Sequence, residues 1–186
     1  MLVDAWSGMR AVFRPPTANG CTYVEKNMLG ILALVLLVSV VPEIPLHHVL
    51  FRGHVWWIAV LLDAAALYVV MWVFELYGDI ARMPHEIGEE HVRFYCGSLA
   101  LAELRRDAIE ELKPILNPER QALRKAYPEA EHLGLPGTDL VYVRLREPAR
   151  VMRTFPKRID RGVSELLVPS DRPHELCALL RRESVV

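Results

Sequence analysis

Glu43, His47 and Asp63 are the side chains in this sequence whose types and spacing suit them to chemistry, because all three interrupt apolar sequence. Glu43 and His47 are four residues apart, which on a helix puts them on one face, one turn from each other. Glu43 lies ten residues before Gly53 and Asp63 ten residues after it. A chain that turns back at Gly53 brings both carboxyls to one depth, ~15 Å from the turn at ~1.5 Å per residue. Carboxyls and an imidazole at that depth can ligate a transition metal. They can relay protons, one carboxyl being kept protonated by its neighbour. They can also join helices by hydrogen bonds, within a chain or between copies. A neutral, hydrogen-bonded cluster that only fixes the fold needs the same residues. His48 and His54 stand close enough to add to a metal set, or to serve as interfacial polar groups.

A second group is basic. Arg144, Arg146, Arg150, Arg153, Lys157, Arg158 and Arg161 fall within eighteen residues that hold only Glu147 and Asp160 as acids. Such a face on a domain tethered at a membrane suits anionic lipid or an acidic partner, at ~1 kcal/mol per residue near the surface. The alternative is a solvated strand face balanced by the acidic stretch Glu103–Glu111. Cys21, Cys96 and Cys177 are far apart, so they form neither a disulfide framework nor a zinc motif, and no cofactor is implied. No nucleotide loop, nucleophile elbow, HExxH helix or paired-cysteine site occurs, which points away from an enzyme.

The elements that carry these residues divide sharply by composition. The chain has 186 residues and a formal net charge of −1, and that near-neutrality argues against nucleic acid as a partner. Residues 1–77 hold four Lys/Arg and five Asp/Glu, and the rest hold eighteen of each. Val55–Tyr77 is apolar enough to span a bilayer as a helix, with Trp56, Trp57, Trp72 and Tyr77 towards its ends. Met28–Val41 is apolar but short; continuing through Pro42 and Pro45 to Leu50 makes a kinked helix of spanning length. The expectation is a transmembrane hairpin over 27–77, with spans 27–50 and 55–77. Before it comes an N-terminal cytoplasmic or interfacial segment, 1–26. Arg10, Arg14, Lys26 and Arg82 outnumber Arg52 in the connection, so both termini are expected on the cytoplasmic side of the cell membrane.

From residue 78 onward the pattern is that of a soluble, strand-rich domain, expected to fold on its own. Strands are expected at 83–87, 91–96, 99–104, 109–112, 139–146, 150–155 and 163–168, with a short helix within 117–133. Ser170 reads as the N-cap of a final helix striped by Leu176, Leu179 and Leu180. A curved antiparallel sheet or split barrel closed by that helix follows. The strand pair beginning at MPHEIGEEHVRFYCG, the strand into DAIEEL and the helix after VPSDRPHELCALL resemble bacterial PH-like domains fused to transmembrane helix pairs. That resemblance implies an α+β membrane protein with a PH-like split β-barrel capped by a helix, and it supplies no active-site residues. The function expected is a non-enzymatic membrane anchor for a cytoplasmic PH-like module. Its partners would be membrane lipids, a membrane protein or further copies of the chain. The alternative is an oligomeric proton, ion or metal transporter using Glu43, His47 and Asp63.

Overall fold

The computed structural model describes residues 21–23, 28–116, 119–134, 138–154 and 158–181. The chain is α+β and separates into two compact units. The first is a helical pair, Met28–Gly78. The second is the strand-rich part from Asp79 on, joined by the stretch Cys21–Tyr23. The expected interfacial helix in the first twenty residues, and three of the basic residues used to orient the hairpin (Arg10, Arg14 and Lys26), lie outside the described residues.

In the helical unit, α1 spans Met28–Leu50 and α2 spans Trp56–Arg82, joined by a 3-10 turn at Gly53–Val55. Pro42 and Pro45 are inside α1, so the helix does continue through both. Both helices are long and apolar enough to cross a membrane, with mean hydropathies of 2.0 and 2.1 in their spanning stretches. Their lengths are ~35 and ~40 Å at 1.5 Å per residue. Ala33, Val40, Val70, Val73 and Phe74 form the seam between them. At one end Tyr77 lies over Gly30, where a Cβ would come within 3.1 Å of the ring. A small residue there lets the helices approach closely. Most other large apolar side chains point outward; Ile31, Val38, Val41, Leu61 and Trp56 are each more than half exposed.

Among the described residues the second unit holds seven strands: β1 Glu86–Ile87, β2 His91–Cys96, β3 Ala100–Arg105, β4 Ile109–Ile115, β5 Glu131–His132, β6 Leu140–Arg153 and β7 Ile159–Pro169. Their order is β1-β2-β3-β6-β7-β5, with β4 also paired to β6. The sheet is open and mixed rather than wholly antiparallel, because β5 runs parallel to β7. The expected strands at 139–146 and 150–155 are one fourteen-residue strand, β6. Its register against β7 shifts between Arg144 and Ala149. Pro148 sits in that irregularity, where a missing N–H costs no ladder bond. Gly162 on β7 faces it, and a Cβ there would lie 3.1 Å from Pro148. The shift is also where β6 changes neighbours, from β4 along Leu140–Leu145 to β3 along Arg150–Arg153.

The main core lies on one face of this sheet. Phe94, Val141, Val143, Val151, Leu166 and Val168 project into it, and helix α4, Pro173–Arg181, covers it with Leu176, Cys177 and Leu180. Helix α3, Arg120–Ala126, buries Leu123 against Leu140, Tyr142 and Leu167 in a smaller cluster. The alternation in β6 is therefore as expected, with apolar clusters receiving both sets of residues at its start. Ser170 is not the N-cap of α4. The helix starts two residues later than a Ser170 cap would place it, because Pro173 takes the first helical position, where its missing N–H is harmless. The Ser170 hydroxyl instead accepts from the Arg172 N–H at 3.2 Å, and the Arg172 carbonyl accepts from Leu176. Arg106 and Arg181 tie α4 into the unit: Arg106 donates to the carbonyls of Leu179 and Leu180, and Arg181 donates to that of Leu112.

Candidate functional site

The polar residues of the helical pair converge on Asp63. The ring Nδ1 of His47 meets its Oδ1 at 2.7 Å, and the Nε2 of His48 meets its Oδ2 at 3.0 Å. Asp63 is shielded, its side chain 12% exposed, while His48 is half exposed. Each imidazole N–H can donate to one carboxylate oxygen, which leaves one ring nitrogen on each histidine open. Two imidazoles bridged by one carboxylate can hand a proton between them. Among the described residues, no group of three or more His, Cys, Asp or Glu is arranged to hold a metal ion.

Glu43 does not join this cluster; it is exposed on α1, and among the described residues it has no ion-pair or hydrogen-bond partner. The two helices are offset: their ends, Leu50 and Trp56, lie three residues either side of Gly53, but the pairing of Asp63 with His47 and His48 centres the crossing near residue 55. Moving the reversal by two residues moves the partner of Asp63 by four. His47 takes the place expected for Glu43, and its neighbour His48 takes the other oxygen. His48 was legible only as an extra candidate, since adjacent helical residues diverge by about 100°. Both histidines are in the last turn of α1, and Asp63 lies in the first third of α2. The cluster therefore belongs to the loop end of the pair rather than to its middle.

The basic run is largely neutralised by its own unit. Arg144 lies 3.4 Å from Glu111 and 3.7 Å from Glu165. Arg150 makes two hydrogen bonds to Asp160, both at 2.9 Å. Arg153 and Arg161 share the buried carboxylate of Glu131 on β5. Arg146 and Arg158 are exposed and make no ion pair among the described residues, and Lys157 lies outside them. The balancing acids are mostly on β4, β5 and β7 rather than in the whole Glu103–Glu111 stretch. An open cleft of about 250 Å³ lies beside Arg144, lined by Glu111, Lys113, Tyr127, Glu129 and Tyr142 among others. The rings of Tyr127 and Tyr142 meet there at a tilt of 31°, their centroids 4.3 Å apart.

A third constellation was not visible in the sequence. Tyr23 is 1% exposed, inside the strand-rich unit, and its ring stacks on that of His85 at 4.7 Å. Its hydroxyl donates to the Met83 carbonyl at 2.9 Å and accepts the Gly97 N–H at 2.8 Å. The Cys21 and Thr22 carbonyls accept from His85 and Asp171. The segment expected as a separate 1–26 appendage thus contributes Tyr23 to the core of the strand-rich unit. The Nε2–H of His85 donates to the Pro169 carbonyl at 2.7 Å, and its Nδ1 accepts the Tyr95 N–H at 3.2 Å. Burial pushes this imidazole down to about 4, against the opposing pull of the Pro169 carbonyl and the charge of Asp171. Burial also raises the Tyr23 hydroxyl above the ordinary phenol value. Both rings are neutral at physiological pH, and with every polar atom of the pair engaged they act as a structural clasp rather than as acid and base. No family model, curated protein or solved structure matches this chain.

Proposed function

We propose that this chain is a non-enzymatic integral membrane protein of the cell membrane, in which the α1–α2 hairpin anchors a PH-like binding module. The observation that carries this reading is the pair of long helices whose outward faces are apolar and exposed. A water-soluble monomer rarely leaves so large an apolar surface bare. The clasp supports a two-span arrangement. Tyr23, five residues before α1, and Met83, directly after α2, are hydrogen-bonded within one unit, so both ends of the hairpin belong on one membrane face. Arg82 at that end and Arg52 at the other fit the cytoplasmic assignment only together with the basic residues before α1. Seven strands closed by an apolar-striped C-terminal helix support the PH-like reading. The mutual pairing of four of the seven basic side chains favours a protein partner or self-association over attraction to anionic lipid.

Alkaline carbonate washing of membranes tests the anchor. The full chain should stay in the pellet, and its release into the supernatant would defeat this reading. The shared carboxylate between His47 and His48 favours a second reading, an oligomeric protein that moves protons or cations. Reconstituted vesicles decide between the two. Under the anchor reading, proton and divalent-cation flux should equal that of empty vesicles. Flux abolished by Asp63→Asn, with the fold intact, would favour transport, because an amide neither titrates nor neutralises a cation.

A further inference from the structure

Two outward-facing polar groups remain unexplained after the site above, and they lie at one level of the hairpin. Glu43 is four residues from residue 39, the midpoint of α1, or ~6 Å along the axis. Its side chain is exposed. Tyr68 of α2 is 58% exposed. It lies five residues beyond Asp63, and the pairing of Asp63 with His47 and His48 sets Tyr68 level with residues 42 and 43. In a bilayer, both groups face hydrocarbon near its centre, where a carboxyl is costly and a phenol is far from the interface it prefers. Pro42 and Pro45 add two acceptors at the same level, since neither can donate to the carbonyls of Val38 and Val41. Val38 and Val41 are themselves more than 60% exposed.

The two groups cannot satisfy one another within a chain. Asp63 faces α1, and Tyr68 is about 140° further round α2, on its far side. Glu43 is on the flank of α1, about 40° round from His47. We infer that the partner is a second copy of this chain, with the Tyr68 hydroxyl of one copy donating to the Glu43 carboxyl of the next. The complementarity is specific: the acceptors lie on α1, the donor on α2, at equal depth. The contact joins different surfaces of the two copies, so repeating it builds a ring where the rotation closes and an open array where it does not, rather than a two-fold pair. This inference rests on the membrane reading proposed above.

The test uses the full chain in membranes, with the photoreactive residue p-benzoylphenylalanine in place of Tyr68. Illumination should yield covalent dimers and higher species whose joined peptide contains Glu43. Tyr68→Phe and Glu43→Ala, both at exposed positions, should each weaken association about three- to tenfold, the range for one interhelical hydrogen bond. The double variant should be no weaker than either single one, because each removes the same contact. A chain that stays in the carbonate-washed pellet but gives no intermolecular product, or whose two variants associate as strongly as the wild type, overturns the inference and leaves the anchor standing. A chain released by carbonate overturns both.

Discussion

Replacing Tyr23 by alanine should lower the stability of the strand-rich unit by about 3–5 kcal/mol, the cost of deleting a fully buried aromatic side chain. The ring is 1% exposed and stacks nearly parallel, at 11°, on His85. Its loss opens a cavity against His85, whose ring also meets Phe94 edge-on at 5.4 Å. The hydroxyl matters separately. Tyr23→Phe leaves the Gly97 N–H and the Met83 carbonyl without their partner, which should cost about 1–3 kcal/mol. The surroundings have little room to relax. Gly97 holds φ at +50°, and a Cβ on it would lie 3.0 Å from Ile80 Cγ1 and 3.1 Å from the Ile80 nitrogen. Denaturant titration of the full chain in detergent, followed by protease susceptibility of the strand-rich unit, measures both changes. A loss under about 1 kcal/mol for Tyr23→Ala, well short of the usual cost of such a deletion, would mean that the N-terminal segment is not part of that unit's core. For the same reason, a fragment beginning at residue 80 should be less stable than the intact chain, by a similar amount.

Tyr23 also shows why part of this architecture was hidden in the sequence. The strands were readable because their signals are local. His91–Cys96 alternates, Gly97 turns the chain, and β6 sends Val141, Val143 and Leu145 to one face of the sheet. The two long apolar helices were readable from length and composition, including the passage of α1 through two prolines. Tyr23, by contrast, sits in a polar stretch with no periodicity, and its partners are sixty or more positions away. No pattern within a window of ten or twenty residues distinguishes it from a surface tyrosine. The two-residue β5 was missed for the same reason, since its parallel pairing with β7 is set by the path of the chain after α3 rather than by its own residues.

The polar cluster was legible in kind and wrong by one helical turn. Residue type announced that Asp63 needed a partner near the end of α1. Which residue supplied it depended on the offset of α2 against α1, which sets His47 rather than Glu43 opposite Asp63 and which no pattern along either helix specifies. The basic run failed differently. Counting charges along β6 and β7 gave a local excess, but in a sheet each arginine stands beside residues of neighbouring strands. Arg150 reaches Asp160 diagonally across the β6–β7 ladder, and Glu131 arrives on β5 from a distant stretch. Cross-strand pairs, not the linear run, determine how much positive charge a partner would meet.

Acid should weaken the strand-rich unit through His85, and the sign follows from its burial. In the unfolded chain this imidazole titrates near 6.5. In the folded unit burial holds it down to about 4. Above pH 6.5 both states are neutral and the stability is fully present. Between 6.5 and 4 the unfolded chain takes up a proton that the folded unit refuses, so stability falls as pH falls. Each pH unit across that window removes about 1.4 kcal/mol, so the loss accumulates to about 3 kcal/mol and ends below pH 4. The geometry explains the refusal. Nδ1 already accepts the Tyr95 N–H, so protonation there would set two donors against each other inside a dry stack of Tyr23 and Phe94. The facing acid, Asp171, opposes this depression without cancelling it. Other carboxylates also titrate in this range, so the informative quantity is the difference between wild type and His85→Gln, which cannot charge. At pH 7 the wild type should be the more stable, and its advantage should shrink by about 3 kcal/mol on going to pH 4. An advantage that stays constant across that range would mean that His85 is open to water and charges freely in the folded protein.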